Sequence, residues 1–399
     1  MQCVVLAAGE GKRMRPLTAK RPKVMLPVAN RPMIEHLILS AKNAGITEFI
    51  LVVGYGEREV RSHFGDGSQY GITIIYVPQR HQAGTADALN SAEDLIKGPF
   101  LALNGDMILS SADITKMIET RAPSMGISTT DHPMDFGVVY MDNDVVTSLE
   151  EKSKHPKSNI INAGAYHFSP AIFDLLKKIR PSPRGELELT DALGILIEDH
   201  QLKGVPLSTW RDVGYPWDLI DANAELLKGY TASNHGIIED NVHLSGPVII
   251  GEGSVLKSGT YIEGPCIIGK NCRIGPNAYI RGATSIGDDC HIGHCTELKN
   301  STVMTKTKIP HFNYVGDSVI GSGCNFGAGT KIANLRHDHA PIKVGGKDTR
   351  HTKFGAVIGD NVQFGINCSI NVGSVIGSNA HFAPNSLIEG SFGENATIR

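Results

Sequence analysis

The chain has 399 residues, a formal net charge of −3, and 41% hydrophobic against 20% charged residues. That length supplies two or three domains with full-size cores, and the near-balanced charge leaves no electrostatic footprint for nucleic acid or an acidic membrane. No apolar run reaches the roughly 18 residues of a membrane span, and the opening MQCVVLAAGEG reads as a short strand followed by glycines rather than a signal peptide, so the cytoplasm is the expected location.

Residues 1–228 read as alternating strands and helices. QCVVLAAG, EFILVVGY, ITIIYVPQ and PFLALNGD are short apolar runs rich in β-formers. Amphipathic helical patterns run from Pro32 to Gly45 and from Ala86 to Ile96. The alternation predicts a Rossmann-like α/β domain with a mostly parallel sheet, its ligands at the carboxyl ends of the strands. The polar stretch 229–235 reads as a linker.

Residues 236–399 follow a different rule. From Ile238 to Met304 every sixth residue is aliphatic: Ile238, Leu244, Ile250, Leu256, Ile262, Ile268, Ile274, Ile280, Ile286, Ile292, Leu298 and Met304. Four places after each of these up to Leu298 comes a small or β-branched residue, from Val242 to Thr302. The period resumes at Ile320 and Phe326, and again from Ile358 to Ile388. A hexapeptide period predicts a parallel β-helix, with three short faces per coil. The aliphatic residue stacks inside a narrow prism and the small residue fills the corner beside it.

Seven cysteines are present. Cys266, Cys272, Cys290, Cys324 and Cys368 fall at the small corner position, where cysteine serves as a small hydrophobe. The run from Cys290 to Cys295 imitates a zinc cluster. Its register turns Cys290 inward and the histidines elsewhere, and no CxxC pair exists, so structural zinc is not expected.

A gap from Ala333 to Val357 interrupts the repeat. It carries Arg336, His337, His339, Lys343, Lys347, Arg350, His351 and Lys353 against Asp338 and Asp348. A loop this long without its own periodicity is functional or disordered. Its charge suits a phosphorylated ligand such as coenzyme A or a sugar phosphate.

After the first strand, LAAGEGKRMRPLT offers Gly9 and Gly11, whose backbone N–H groups can approach phosphates, and the fixed cation Arg13. Met14 replaces the third glycine of a dinucleotide fingerprint, and no GK[ST] occurs, so neither Rossmann nor Walker loop is matched. Lys23 follows in ARPKVMLPV. Together these segments resemble the signature of the sugar nucleotidyltransferases. The resemblance implies base recognition at Gln79, Gly84 and Thr85. It also implies metal binding at Asp106 and Asp212, and sugar binding at Glu151, Lys152, Asn162 and Gly164, with Glu186 in the family-like GELELTDA. The chemistry suits these residue types. Joining a nucleoside triphosphate to a sugar 1-phosphate needs neutralisation and in-line alignment rather than a protein nucleophile. Two carboxylates can hold Mg²⁺ against the triphosphate.

In the second half the repeat is interrupted at Lys308–Asp317, KIPHFNYVGD. This segment and the following SVIGSGCNFGAGTKIAN resemble the archaeal bifunctional sugar-1-phosphate nucleotidylyltransferase/acetyltransferases, over nearly the whole chain. The resemblance implies a left-handed parallel β-helix that carries an acetyltransferase. It implies that His311 is general base, taking a proton from the amine of glucosamine 1-phosphate as the nitrogen attacks acetyl-CoA. Tyr314 would orient substrate. Arg281, Lys299, Asn334 and Lys353 would bind the sugar phosphate, with Glu297 nearby. Asn325 and Ala328 would handle the acetyl group. Asp212 stands where the bacterial enzymes have asparagine, and Ile366 where they have serine; UTP and dTTP both remain open as co-substrate, as do gluco and galacto epimers. The alternatives are a glucose-1-phosphate nucleotidyltransferase whose β-helix only assembles an oligomer, or a non-catalytic regulatory homologue. The prism's flat faces and the resemblance imply a homotrimer, with the basic loop leaning onto a neighbouring prism.

Overall fold

The computed structural model describes residues 1–80, 83–182 and 185–399. By packing, the chain forms two compact units. One comprises Met1–Glu10, Arg21–Met25 and Met33–Asp212; the other comprises Gly11–Lys20, Leu26–Pro32 and Val213–Arg399.

In the first unit, strands β1 (Gln2–Ala7), β2 (Glu48–Val53), β3 (Thr73–Pro78) and β4 (Phe100–Asn104) lie parallel in the order β3-β2-β1-β4. Helix α1 (Met33–Asn43) carries the chain from β1 to β2, and α2 (Glu57–Phe64) from β2 to β3, because parallel neighbours require a crossover. Helix α3 (Thr85–Asn90) is shorter than the predicted 86–96 helix, ending at Asn90-Ser91 before a single 3₁₀ turn at Glu93–Leu95. Both residues favour caps over helix interiors. β5 (Met107–Leu109) and α4 (Ser111–Glu119) follow.

The expectation of a mostly parallel sheet holds only for that first half. Beyond β4 come β6 (Ser124–Thr129), β7 (Gly137–Asp142), β8 (Val145–Glu151), β9 (Ile160–Phe168) and β10 (Lys203–Pro206), in the order β4-β9-β6-β10-β8-β7. Every neighbouring pair there is antiparallel except β6–β10. The two-residue turn at Asn143-Asp144, with Asn143 at φ 54°, makes β7–β8 a hairpin, and β9 doubles back between β4 and β6. Side chains of β1 alternate between two cores: Cys3, Val5 and Ala7 face α1 and α4, while Val4 faces the cluster holding α3, α5 (Ile172–Leu176) and α6 (Leu189–Glu198). The sheet is thus covered on both sides.

In the second unit, three parallel sheets of nine, nine and eight strands form the faces of a β-helix. The first sheet starts at Ser233–Asn234, inside the predicted linker, and ends at Ser391–Phe392. The second runs from Ile237–Ile238 to Thr397–Ile398, and the third from His243–Ser245 to Leu387–Ile388. Ile250, Ile268 and Ile286 stack rung on rung, one coil of eighteen residues apart. The predicted hexad residues from Ile250 to Leu298 are buried in one continuous core. Leu244 is half-buried, and Ile238, in the first coil with no rung beneath it, is exposed.

Two corners depart from the hexad. Val303, not Met304, pairs with Ile286 and joins the core, so the step from Leu298 is five residues. A second five-residue step leads from Val315 to Ile320. Ile309 and Val315 are buried and in rung, so the coil runs on through 308–317 and the irregularity lies in these two shortened corners. Many corners adopt positive φ, and Asn takes it repeatedly, as at Asn361, Asn379 and Asn395, whose amides bond along the helix axis.

The insertion at 333–357 is ordered. β12 (Lys343–Val344) and β13 (Lys347–Asp348) form a hairpin around Gly345-Gly346, both at positive φ; Ile342 and Phe354 are buried. Helix α7 (Asp218–Lys228) packs within this second unit although it precedes the repeat. The Asn223 side chain donates to the Ala283 carbonyl at 2.7 Å and accepts from Ala29 N–H at 2.9 Å.

Candidate active sites

In the first unit three predicted residues follow strand ends: Gly9 after β1, Gln79 after β3 and Asp106 after β4. Lys23, only 6% exposed, donates to Asp106 Oδ2 at 2.6 Å. Asp106 follows β4 in the turn to β5. β5 pairs with β11 (Trp210–Asp212), placing Asp212 opposite Met107 and one residue out of register from Asp106. Asp113, which was not predicted, secures the segment entering β11: its carboxylate accepts from Ser208 N–H, Ser208 Oγ and Thr209 N–H at 2.7–2.9 Å. Burial opposes its charge, but these donors outweigh burial and hold the carboxyl below its ordinary range.

Gln79 and Gly84 come together. Gln79 Nε2 donates to the Gly84 carbonyl at 3.1 Å and to Asp87 at 2.7 Å. Gly84 has φ 112°, and a Cβ there would meet the Leu187 backbone, so only glycine fits. The Thr85 hydroxyl accepts from Leu189 N–H at 3.0 Å, tying this loop to the start of α6. Gln82 of the same motif lies outside the described residues. On β9 a bulge separates Asn162 from Tyr166. Asn162 Oδ1 accepts from Gly164 N–H at 2.9 Å, and its amide donates to the Tyr166 hydroxyl at 2.8 Å. Burial, with Glu151 nearby, pushes Tyr166 up, which keeps the phenol protonated. Gly9 lies open at the end of β1. Gly11 and Arg13 belong to the second unit by packing. Gly11, at φ 70°, opens a 3₁₀ turn over Lys12–Met14, and its carbonyl accepts from Thr18 Oγ1 at 3.0 Å.

The second cluster is built on the rungs of the third sheet. Arg281 pairs with Lys299 and Lys299 with Gly316; Glu297 pairs with Tyr314. Outward positions on successive rungs lie about 4.8 Å apart, so Arg281, Lys299, Glu297 and Tyr314 make one surface. Arg281 donates to Glu297 at 2.8 Å. Asp317, quoted in the motif but given no role there, is the hub. Its buried carboxylate binds Lys299 at 3.0 Å, Asn300 at 2.8 Å and the Asn334 amide. Its backbone sits at φ 48°. Burial, with Glu297 and Asp317 near, pushes the Tyr314 phenol up, so it remains a donor at neutral pH. Gly316 has no side chain because a Cβ would lie 2.6 Å from Asn334 Nδ2 and 2.7 Å from the Tyr314 hydroxyl.

His311 ends a strand of the second sheet, opposite His294, at the corner leading to this surface. Its carbonyl accepts from Gly329 N–H, which brings Ala328 onto the next rung, and Asn367 N–H bonds Ala328 above it. Lys308 pairs with Asn325. Lys353 bridges Leu335, and the following Phe354 N–H donates to Asn334. All the second-site residues except Asn334 and Lys353 thus lie on consecutive coils, and the insertion holds those two close together where it leaves and rejoins the coil. Among the described residues, no side chain hydrogen-bonds the His311 ring. The corner after it is unusual. Glycine or asparagine holds positive φ at Asn241, Gly259, Asn277, Gly329, Asn367 and Asn385, whereas Cys295 and Phe312 hold it next to His294 and His311. Phe312 at φ 51° is strained for a bulky residue, a signal invisible to hydropathy.

Cys266 and Cys324 are buried, and burial pushes their thiols up to about 12, consistent with inert small hydrophobes.

The fold and the motif-bearing strand ends define a nucleotidyltransferase domain followed by a β-helical carboxyl-terminal domain. Residues 2–229 match the family described as Nucleotidyl transferase, and residues 262–393 match the GMPPB C-terminal domain. The chain belongs to the bifunctional sugar-1-phosphate nucleotidylyltransferase/acetyltransferase family, whose members include the proteins called GlmU. It is similar to the bifunctional protein GlmU of Methanococcus maripaludis, at 46% identity over 100% of this chain and 97% of that one. It is similar to GlmU of Methanocaldococcus jannaschii, at 40% over the same shares. The bifunctional sugar-1-phosphate nucleotidylyltransferase/acetyltransferase of Sulfurisphaera tokodaii is 39% identical over 98% of each chain. A crystal structure of a putative glucose-1-phosphate thymidylyltransferase from Bacillus anthracis, in complex with a sucrose, aligns at TM-score 0.54 and 30% identity. That alignment covers 59% of this chain and 98% of that one. The chain is an enzyme of two activities, nucleotidyl transfer and acetyl transfer, in amino-sugar nucleotide synthesis. No helix among the described residues is long and apolar enough to cross a membrane.

Proposed function

We propose that the carboxyl-terminal half acetylates glucosamine 1-phosphate or an epimer, and that the amino-terminal half joins the product to a uridylyl or thymidylyl group. The observation that carries this reading is the single outward surface of Arg281, Lys299, Tyr314 and Asn334, one corner from His311. In acetyl transfer the substrate amine attacks the thioester carbonyl, a C–N bond forms, the C–S bond breaks and the coenzyme leaves as a thiol. His311 takes the ammonium proton, a role worth on the order of 10²–10⁴ in rate. Arg281 and Lys299 hold the phosphate, Tyr314 and Asn334 orient the sugar, and Asn325, Ala328 and Lys353 meet acetyl-CoA and the sugar phosphate.

In nucleotidyl transfer a sugar-phosphate oxygen attacks the α-phosphorus, and the bond to the β-phosphate breaks to release pyrophosphate. Arg13 steadies the leaving charge and Lys23 the phosphate at the reacting centre. Gln79, Gly84 and Thr85 receive the base; Glu151, Asn162 and Gly164 receive the sugar. Asp106, in the turn before β5, and Asp212, at the end of the paired β11, are hard oxygen donors, and the Lys23 ammonium lies against Asp106. That donor pair fits Mg²⁺, which takes one or two carboxylates and completes its shell with substrate phosphates. When bound, Mg²⁺ would neutralise triphosphate charge.

The strand order β3-β2-β1-β4, all parallel, supports a Rossmann-like core. The family resemblance supports left-handed winding and a homotrimer. Exposed Phe312, Ile366 and Leu387 on the β-helix are apolar surface of the kind that subunits cover. Sedimentation equilibrium at three times the chain mass is expected, and a stable, active monomer refutes the trimer. The catalytic reading is tested by incubating the protein with acetyl-CoA and each hexosamine 1-phosphate while following free thiol. UTP or dTTP is then added and pyrophosphate measured. Absence of thiol release with every amino sugar refutes the acetyltransferase half.

A further inference from the structure

Three segments of the second unit, far apart in sequence, meet at Tyr215. Arg13 of the glycine-rich loop places its guanidinium carbon 5.1 Å from the ring centroid. Lys347, at the start of β13 in the insertion, places Nζ 5.2 Å from the same centroid. Trp217 stacks on Tyr215 at 4.7 Å with an interplanar angle of 4°, and Phe354 meets Trp217 edge-on at 6.4 Å. His351 Nε2 lies 3.5 Å from Asp221 of α7. Within its own chain the insertion therefore rests on α7 and the aromatic pair.

This arrangement has a physical consequence for Arg13. A long exposed side chain on a loop loses rotamer freedom when it is held for chemistry. A cation over an aromatic face recovers part of that loss, and a ring already stacked on Trp217 loses little entropy in doing so. Lys347 approaches the same ring as Arg13, so the insertion takes part in fixing it. The two cations at one ring also favour an anion nearby. We propose that Tyr215 and Lys347 are positioning residues for nucleotidyl transfer: through the ring they set the guanidinium of Arg13, so the insertion of the acetyltransferase half serves the other reaction. The inference rests on the reading of Arg13 as the group that steadies leaving pyrophosphate.

Kinetics of the full-length protein test it. Tyr215→Ala should lower kcat for pyrophosphate release about tenfold, the scale of losing one cation–π contact and its ordering. KM for the sugar 1-phosphate should stay unchanged, and acetyl transfer should keep its parent rate. Tyr215→Phe, which keeps the ring, should recover most of the lost kcat, and Lys347→Ala should fall between. In an Arg13→Ala background, Tyr215→Ala and Lys347→Ala should cost nothing further, because the group they position is gone. Full additivity in that background overturns the proposal, as does a Tyr215→Ala variant with parent kcat. An Arg13→Ala variant that releases pyrophosphate at the parent rate overturns the reading of Arg13 itself, and this inference with it.

Discussion

Lys23 Nζ and Asp106 Oδ2 are 2.6 Å apart, with the lysine almost wholly buried and the aspartate only partly so. A desolvated ammonium held by one carboxylate is a preset cation at the end of β4, where a strand-end ligand is expected. Removing either partner strands the other charge. Asp106→Ala should therefore lower pyrophosphate release by at least about a hundredfold, the scale of losing preorganised charge at a reacting phosphate. Thiol release from acetyl-CoA should stay near the parent rate. A folded variant that loses both activities would contradict two distinct sites.

His311→Ala should show the opposite pattern. Loss of a positioned base costs on the order of 10²–10⁴ in acetyl transfer, while nucleotidyl transfer onto ready-made N-acetylglucosamine 1-phosphate persists. Steady-state thiol and pyrophosphate assays on the same preparation decide it. Near-parent acetyl transfer would remove His311 from the base role.

Asp317 gathers Lys299, Asn300 and Asn334 around one buried carboxylate. Asp317→Ala leaves a poorly solvated lysine without its partner, a change that costs about 3–5 kcal/mol in buried pairs. Melting temperature should drop, and KM for the amino-sugar phosphate should rise more than kcat falls. Unchanged KM in a folded variant would show that the hub is structural only.

Gly316→Ala addresses the same surface without touching charge. The added methyl would lie 2.6 Å from the Asn334 amide and 2.7 Å from the Tyr314 hydroxyl, closer than packed atoms tolerate. Acetyl transfer should fall while pyrophosphate release is retained. A crystal structure of the variant with both side chains unmoved would refute the steric argument.

Asp113 predicts a pH effect. Its folded pKa is depressed by donors from Ser208 and Thr209 that exceed the burial penalty. A group lowered on folding contributes stability above its unfolded value, near 3.9, and loses that contribution as pH falls through the folded value. The parent should therefore melt higher than Asp113→Asn at neutral pH, and the gap should shrink as pH drops below about 4. A gap independent of pH would exclude the charge as its source.

Periodicity was readable because it is local. Each inward residue of the β-helix meets its neighbours one coil away, so a rule of six in the chain becomes a column in space, and the column from Ile250 to Leu298 lies where the rule puts it. The candidate site residues come from a family resemblance, and their types suit phosphate and metal chemistry. Val303 and Met304 show the limit. Both are apolar, so a corner one residue short leaves no trace in hydropathy, and only rung pairing with Ile286 decides between them. The same holds for the antiparallel half of the first sheet, where strand direction depends on which partner a strand finds. Asp317 with Asn334, and Tyr215 with Arg13 and Lys347, are meetings across long sequence separations. Their free energy depends on burial and angle at the point of contact, which residue order leaves open until the chain has folded.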